Sequence, residues 1–148
     1  MNGLLRYEDR AGAGDWADVL ATFPLFAAVG KRRLRKLVRS ATFAELAGGQ
    51  SVFSWGAGTE FLYIVLGGEA RMLRPTPRSI RTGDYFGELG VLGGQPHVLH
   101  VVATQELHLM KLPRQPVLEL VRRHPPVTLT LLRDLGVRLQ RALAAGAA

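Results

Sequence analysis

The stretch FGELGVLGGQPHVLHVVA, Phe86 to Ala103, decides the fold of this 148-residue chain. Its first half holds Gly87, a single carboxylate at Glu88 and then a Gly-Gly pair, a composition that suits a tight turn with exposed backbone amides. Its second half is rich in apolar and β-branched residues and is typical of a strand. Because a carboxylate in an apolar stretch requires a partner and free amides attract anions, the stretch indicates a small-anion site beside a strand.

Short strands are also predicted on both sides of this stretch. Segments with β-rich composition and turn residues at their ends lie at 41–46, 51–55, 61–66, 69–74, 97–104 and 106–112. The Gly-Gly pair in LGGE, 66–69, predicts a two-residue hairpin turn between two of these strands. The segment 74–80 contains two prolines, which exclude it from the centre of a sheet. The pattern predicts a mostly β fold, a β-roll that resembles a jelly roll.

Helical periodicity lies at both ends of the chain. Asp15 is a suitable N-cap for a short helix, and a second helix is predicted from Gly30 to about Ser40. Two further helices follow Pro113, and the pair Pro125-Pro126 separates them. The predicted organisation is a flexible lead-in at 1–14 and one domain at 15–148, with helices at 15–40, the β-roll at 41–112 and lid helices at 113–144.

Composition excludes several classes of protein. The chain has no cysteine, which rules out disulfides and thiolate metal sites. Its longest apolar run is far shorter than the roughly 20 residues that cross a bilayer, and the N-terminus lacks an apolar signal core, so we expect a cytoplasmic protein without a membrane segment. His97 and His100 would face opposite sides of a strand, which argues against a jelly-roll metalloenzyme. We therefore predict no enzyme activity, no metal and no cofactor.

The chain is basic, with a net charge of +7, and its densest cationic segment is KRRLRKLVR at 31–39. On a helix, Leu34, Leu37 and Val38 share one side and the basic residues take the rest. A solvated basic face is the favoured interpretation, and a docking patch for a polyanion is the alternative.

The segment GDYFGELGVLGGQPHVLHVVA, 83–103, resembles the phosphate-binding cassette of the cyclic nucleotide-binding domain family. Upstream, GAGTEFLYIVLGGEARML, 56–73, resembles the strand pair of the same family, in the same order and spacing. The resemblance covers about residues 16–143. It implies a regulatory β-roll domain whose ligand is cyclic AMP, cyclic GMP or a similar small anion.

The resemblance also implies a set of ligand-binding residues. In this sequence they are Phe86, Gly87, Glu88, Leu89, His97, Val98 and Leu99. Glu88 would accept a hydrogen bond from the ribose 2′-hydroxyl, and the amides of 87–89 would hold the phosphate. The arginine that the family pairs with the phosphate is replaced by His97, and the hydroxyl and small residues after it by Val98 and Leu99. Loss of this charge-assisted contact would weaken binding by something like 10²-fold.

The last helix of the family closes over the base, and the resemblance places Leu131, Leu132 and Leu135 at these lid positions. Leu132, Leu135, Leu139 and Ala142 also follow a 3-4-3 spacing, which allows a homodimer through the C-terminal helix. No helix-turn-helix segment follows this helix, so we expect no DNA recognition. The signal would pass in trans to a protein partner, whose identity is open, or through oligomerisation.

Three alternatives stay open for the site. The domain binds a cyclic nucleotide weakly or recruits another cation, such as Arg71, Arg78 or Arg81, to the phosphate. It binds a different small molecule in the same cavity. Or it binds nothing and serves as a scaffold for protein–protein interaction.

Overall fold

Two four-stranded antiparallel sheets form the body of the molecule. The computed structural model describes residues 13–56, 61–93 and 97–147. The strands in this part of the chain are β1 Thr42–Leu46, β2 Ser51–Gly56, β3 Phe61–Gly67, β4 Glu69–Arg74, β5 Arg78–Arg81, β6 Tyr85–Phe86, β7 His97–Ala103 and β8 Leu107–Pro113. The sheet orders are β1-β8-β3-β6 and β2-β7-β4-β5. The predicted β-roll is therefore confirmed.

Helices flank the roll at both ends of the described chain. They are α1 Ala13–Leu20, a 3-10 turn at Pro24–Phe26, α2 Lys31–Arg39, α3 Glu88–Gly93, α4 Arg114–Arg123 and α5 Pro125–Ala147. Helix α5 begins at Pro125 because the fixed φ angle of proline suits the first turn of a helix. The flexible lead-in predicted at 1–14 lies outside the described residues, except that 13–14 belong to α1.

Two apolar clusters form the core. One packs the helices against the first sheet and includes Leu20, Phe26, Leu34, Ile64, Met110 and Leu131. The other fills the interior of the roll and includes Val65, Met72, Ile80, Phe86, Leu99 and Leu107. Alternate residues of β3 enter the two clusters, so this strand is buried on both faces. The inner cluster contains two residues of the predicted cassette, Phe86 and Leu99.

The predicted hairpin at 66–69 is wrong, because β3 and β4 lie in different sheets. Gly68 has a φ angle of 95°, and a Cβ atom there would overlap the carbonyl oxygen of Glu106, in the connection between β7 and β8. The amide of Thr104 in that connection donates to the carbonyl of Glu69 at 3.1 Å. The two glycines thus mark a corner where the chain passes from one sheet to the other, packed against a second such corner.

Two strands were not predicted from the sequence, and they position the candidate site. Strand β5 follows the two prolines and lies at the edge of the second sheet, as the exclusion from the centre required. Strand β6 has only two residues, at the edge of the first sheet. In the turn between them, Gly83 has a φ angle of 91° and the Asp84 carboxylate accepts from the Arg81 amide at 2.8 Å. This turn carries Arg78 and Tyr85 towards α5.

Candidate ligand-binding site

Gly87 sets the entrance to the cassette, at the junction of β6 and α3. Its φ angle is 89°, and a Cβ atom there would overlap the carbonyl oxygen of Phe61. Both the backbone conformation and the available space therefore require glycine. The turn places Glu88 at the first residue of α3, with its side chain directed into the protein.

Glu88 is the buried acid of the site, with 3% of its surface exposed. Arg138 of α5 donates a hydrogen bond to Glu88 Oε1 and forms an ion pair with it. The second oxygen, Oε2, is buried and has no hydrogen-bond partner among the described residues. A buried carboxylate with one open acceptor atom can receive a hydroxyl group from a ligand.

Arg78 of β5 is a second cation near this acid. Its Nη2 donates to the carbonyl oxygen of Tyr85 at 3.1 Å, whereas its buried Nε has no partner in the described chain. Burial lowers the pKa of Arg78, the charge of Arg138 lowers it further, and the Glu88 carboxylate opposes both effects. Arg78 and Arg138 thus bring two guanidinium groups close to the Glu88 carboxylate, with Asp84 and Asp134 also near them. Guanidinium groups are the usual partners of a phosphate.

The same acid dominates the surroundings of Arg138. Burial alone would lower the pKa of Arg138, but attraction to the Glu88 carboxylate and the hydrogen bond to it outweigh burial, so the pKa is raised. The guanidinium also lies 5.9 Å from the centre of the Tyr85 ring. Arg138 is therefore held as a cation against the cassette.

A second polar contact joins the roll to α5. The Tyr85 hydroxyl donates to Asp134 Oδ2 at 2.5 Å. Burial raises the pKa of Tyr85, and the hydrogen bond to Asp134 and its negative charge raise it further. Helix α5 is thus tied to the cassette region at two positions one turn apart, Asp134 and Arg138.

A cleft of about 700 Å³ lies between the 3-10 turn, the β5–β6 turn and α5. The arginines Arg78, Arg138 and Arg141 line it, together with Asp84 and Asp134. Its volume is within the range of about 300–1,000 Å³ that small-molecule sites occupy. Gly83, Asp84 and Tyr85, at the start of the predicted cassette, form one wall of the cleft, and Arg138, the partner of Glu88, lies on the wall formed by α5.

The predicted ligand-binding residues occupy different environments. Phe86 is fully buried and stacks on Tyr63, with ring centres 4.7 Å apart, and Leu99 is buried in the same inner cluster. Leu89 is 40% exposed and Val98 is half-buried. The backbone of His97 begins β7, but its side chain lies outside the described part of the chain. Ligand contact by all of these residues, and by Gly87 and Glu88, stays a prediction.

The three predicted lid residues also differ. Leu131 is buried and packs in the cluster between the helices and the first sheet. Leu135 is half-buried, and Leu132 is 60% exposed. The three side chains do not share one face, so α5 meets the roll through Leu131 and through the polar residues beyond it.

Arg138 and Asp134 were not predicted as site residues from the sequence. The sequence does contain a signal for them. The buried residues Val127 and Leu131 lie on one face of α5, and Asp134 and Arg138 continue that face with a 4-3-4 spacing. Of the alternative cations, Arg71 is exposed and donates to Ser79, and Arg81 is exposed and lies 4.0 Å from Glu69. Arg78 is the one of these three that lies beside Glu88.

The comparison with known families identifies the class. The family model described as "Cyclic nucleotide-binding domain" matches residues 43–124. The chain therefore belongs to the cyclic nucleotide-binding domain family, as the motifs of the cassette predicted.

Individual relatives are distant. The chain is 26% identical over 94 residues to a cyclic nucleotide-gated potassium channel of Mesorhizobium japonicum, a match over 64% of this chain and 26% of the channel. It is 24% identical over 131 residues to a CRP-like cAMP-activated global transcriptional regulator of Mycobacterium tuberculosis, covering 84% of this chain and 58% of the regulator. The crystal structure of the sensor domain of the transcriptional regulator DNR from Pseudomonas aeruginosa matches with a TM-score of 0.71 and 20% identity, over 89% of this chain and 93% of that one.

The share of each relative that this chain covers limits which properties can be transferred to it. The chain spans 26% of the channel and 58% of the regulator, so the activities of those whole proteins do not transfer to it. The DNR structure shows the fold. None of the helices in the described residues has the length and hydropathy needed to cross a membrane.

Proposed function

We propose that this domain is a regulatory sensor that binds a cyclic nucleotide, cyclic AMP or cyclic GMP, at the Glu88 cassette and passes its state to α5. The observation that carries this proposal is the buried Glu88 carboxylate, which has Oε2 open as an acceptor and two arginines beside it. Its role is regulatory rather than enzymatic. The family membership and the likeness to a cAMP-activated regulator support it.

Each part of the ligand has a partner in this proposal. Glu88 accepts a hydrogen bond from the ribose hydroxyl, and the amides of 87–89 face the cyclic phosphate. His97 stands where the family has its phosphate-binding arginine, and Arg78 supplies the missing cation. Its buried Nε has no partner in the described chain and can donate to the phosphate. In this proposal, Leu89, Val98 and Leu99 provide apolar surface beside the ligand. Phe86 is fully buried and packs under the cassette in the inner cluster.

Helix α5 is the element that responds. Arg138 and Asp134 attach it to Glu88 and Tyr85, so a ligand at Glu88 acts directly on the contacts that hold the helix. The ligand shifts the helix only to the extent that it binds one position of α5 more tightly than the other. We propose that a protein partner or a second copy of the chain reads this shift.

The central test is calorimetric titration of the whole chain with cyclic AMP and with cyclic GMP. We expect Glu88→Gln to weaken binding by about 10- to 100-fold, because a hydrogen bond to a charged acceptor contributes about 1.5–3 kcal/mol. Glu69→Gln, at an exposed glutamate of β4, is the matched control and should leave the affinity unchanged. Equal affinity of Glu88→Gln and the wild type would remove Glu88 from the site.

A second test concerns the residue that departs from the family. His97→Arg restores a guanidinium at the position before Val98, and we expect it to tighten cyclic nucleotide binding by about tenfold or more. Arg78→Gln should weaken cyclic nucleotide binding less in the His97→Arg variant than in the wild type, because Arg78 and the new arginine would contact the same phosphate. If His97→Arg leaves the affinity as it was, position 97 does not face the phosphate.

A second candidate ligand is a different small anion that enters through the cleft beside α5. The packing of Phe86, Tyr63 and Leu99 inside the roll, together with the three arginines of the open cleft, favours it. A thermal-shift screen with cyclic nucleotides, cyclic dinucleotides and linear nucleotides separates the candidates. If the Tm rises only with an anion other than a cyclic nucleotide, the second candidate ligand is supported. If the Tm rises with none of the compounds, the domain is a non-binding scaffold.

We propose further that α5 forms a homodimer with a second copy of the chain. Val137 of α5 is exposed, and so are four leucines, Leu129, Leu132, Leu139 and Leu143, which have Gly136 between them. With Gly136 they follow a 3-4-3-4 spacing, which suits a seam between two helices, and glycine permits close approach. Leu135, which the sequence placed in this seam, is half-buried against the chain's own fold.

Sedimentation velocity tests this homodimer. Leu132→Glu with Leu139→Glu should shift a dimer to the monomer, because four carboxylates would face each other across the seam. Gln140→Glu, outside the spacing and also exposed, is the control. A wild-type chain that sediments as a monomer at every concentration contradicts the seam.

A further inference from the structure

A basic groove lies between α2 and α4, away from the Glu88 cassette. Its floor is formed by Leu37, Pro116 and Leu120, and Arg33 and Lys36 line it from α2. The cleft beside α5 shares no lining residue with it. We call this feature the α2–α4 groove.

Charge is concentrated on one wall of this groove. Helix α2, KRRLRKLVR, holds six cationic residues and no acid. Within the described chain, Lys31 is paired with Asp18 at 3.1 Å, and the other five cations have no ion-pair partner. Glu119 also lines the groove, but Arg123 lies 3.5 Å from its carboxylate and offsets its charge. The groove therefore attracts negatively charged groups.

The floor is apolar and has room for one side chain. The volume of the groove is about 140 Å³. Apolar cavities of about 150 Å³ hold a benzene-sized group. A partner that places one leucine or phenylalanine side chain on Leu37 and Leu120 would bring its flanking residues to the level of Arg33 and Lys36.

The composition of this face selects the class of partner. The exposed large apolar residues of the described chain lie on β2, β4, α3 and α5, so neither α2 nor α4 offers a side chain that would insert into a lipid bilayer. Neither helix contains an aromatic residue on which a nucleic-acid base could stack. A protein segment with carboxylates around one apolar residue matches both the charge and the floor.

We propose that the α2–α4 groove docks an acidic segment of a partner protein through one apolar anchor residue, with carboxylates on Arg33 and Lys36. The residues that line it differ from those that line the cleft beside α5, so it can be tested separately from the Glu88 cassette. It supplies a surface through which the domain could be held against a target protein.

Fluorescence anisotropy with a labelled probe peptide tests this. The probe is a short run of glutamates around one leucine, and a second probe carries alanine in place of leucine. We expect the leucine probe to bind the full chain more tightly than the alanine probe, and binding to weaken as salt is added. Arg33→Glu with Lys36→Glu should weaken binding of the leucine probe at least about tenfold, because attraction becomes repulsion.

The control is Arg71→Glu with Arg74→Glu, which changes the net charge equally on the exposed face of β4. It should reduce binding much less than the α2 variant does. Equal loss in both variants, or equal binding of the two probes, overturns the docking site and leaves general charge attraction. Vesicles with anionic lipid and a single-stranded oligonucleotide serve as competitors, and displacement of the probe by either at lower concentration than by unlabelled peptide overturns the choice of partner.

Discussion

At the scale of single residues, the site depends on one buried carboxylate. Glu88 meets Arg138 across a sequence separation of 50 residues. The isolation of this acid in an apolar stretch predicted that it needs a partner, but no local pattern connects positions so distant. The sequence therefore predicts that Glu88 needs a partner, but the identity of that partner is set by the packing of α5 on the roll.

The Glu88–Arg138 pair should contribute to stability mainly through the cost of breaking it. Arg138→Ala leaves a carboxylate side chain that is 4% exposed without its hydrogen-bonded ion-pair partner. We expect a loss of about 3 kcal/mol in the free energy of unfolding, measured by urea denaturation. Replacing both residues, Glu88→Gln with Arg138→Met, should recover most of this loss. A double variant as unstable as Arg138→Ala would contradict this account.

Two tyrosines should resist ionisation. Burial raises the pKa of Tyr63 and of Tyr85 above the ordinary value of 10.0, and Asp134 adds to the shift at Tyr85. Because the folded state holds these protons more tightly, the stability that they contribute is complete below pH 10 and is lost as the pH rises through the folded pKa values. An alkaline titration followed by tyrosinate absorbance should show both groups ionising late, together with unfolding. Their ionisation near pH 10 in folded protein would contradict the burial.

At the scale of elements, two glycines at the ends of α3 have opposite requirements. Gly87 has a positive φ angle and no room for a Cβ atom, whereas Gly93 has nothing within 4 Å of a Cβ position. Gly87→Ala should lower the free energy of unfolding by about 2 kcal/mol or more, and Gly93→Ala should change it by less than about 1 kcal/mol. Chemical denaturation of the two variants checks this, and equal effects would exclude the close approach of Gly87 to Phe61.

The longer elements followed from the sequence because their signals are local. The proline pair before α5 and the glycine before α2 mark helix boundaries, and six strands have the expected composition. Strands β5 and β6 could not be predicted from the sequence. Strand β5 is short and comes after two prolines, and strand β6 has only two residues. The Gly-Gly turn was assigned to a hairpin because its local geometry does not reveal that the next strand enters the other sheet.

At the scale of the whole molecule, charge is distributed unevenly. The net charge is +7, and α2 alone carries six cations. Repulsion among them opposes the compact state at low ionic strength. We expect the Tm to rise by a few degrees when the salt concentration increases from about 0.01 M to about 0.15 M, since the Debye length falls from about 30 Å to about 8 Å.

The same two substitutions on α2, Arg33→Glu with Lys36→Glu, should reduce this salt dependence of the Tm. They place opposite charges among the remaining cations of the helix and so remove the repulsion that salt would screen. A salt response that stays as large as in the wild type would locate the repulsion elsewhere in the molecule.

Under the proposed function, the length of helix α5 would enlarge a small movement at the cassette. It has 23 residues, which gives it a length of about 34 Å at about 1.5 Å per residue. If α5 pivoted at Pro125, where it begins, the Glu88–Arg138 contact would lie partway along the moving helix. A rotation of about 10° about Pro125 would move the far end of the helix by about 6 Å, a displacement that the proposed partner or second copy of the chain would detect.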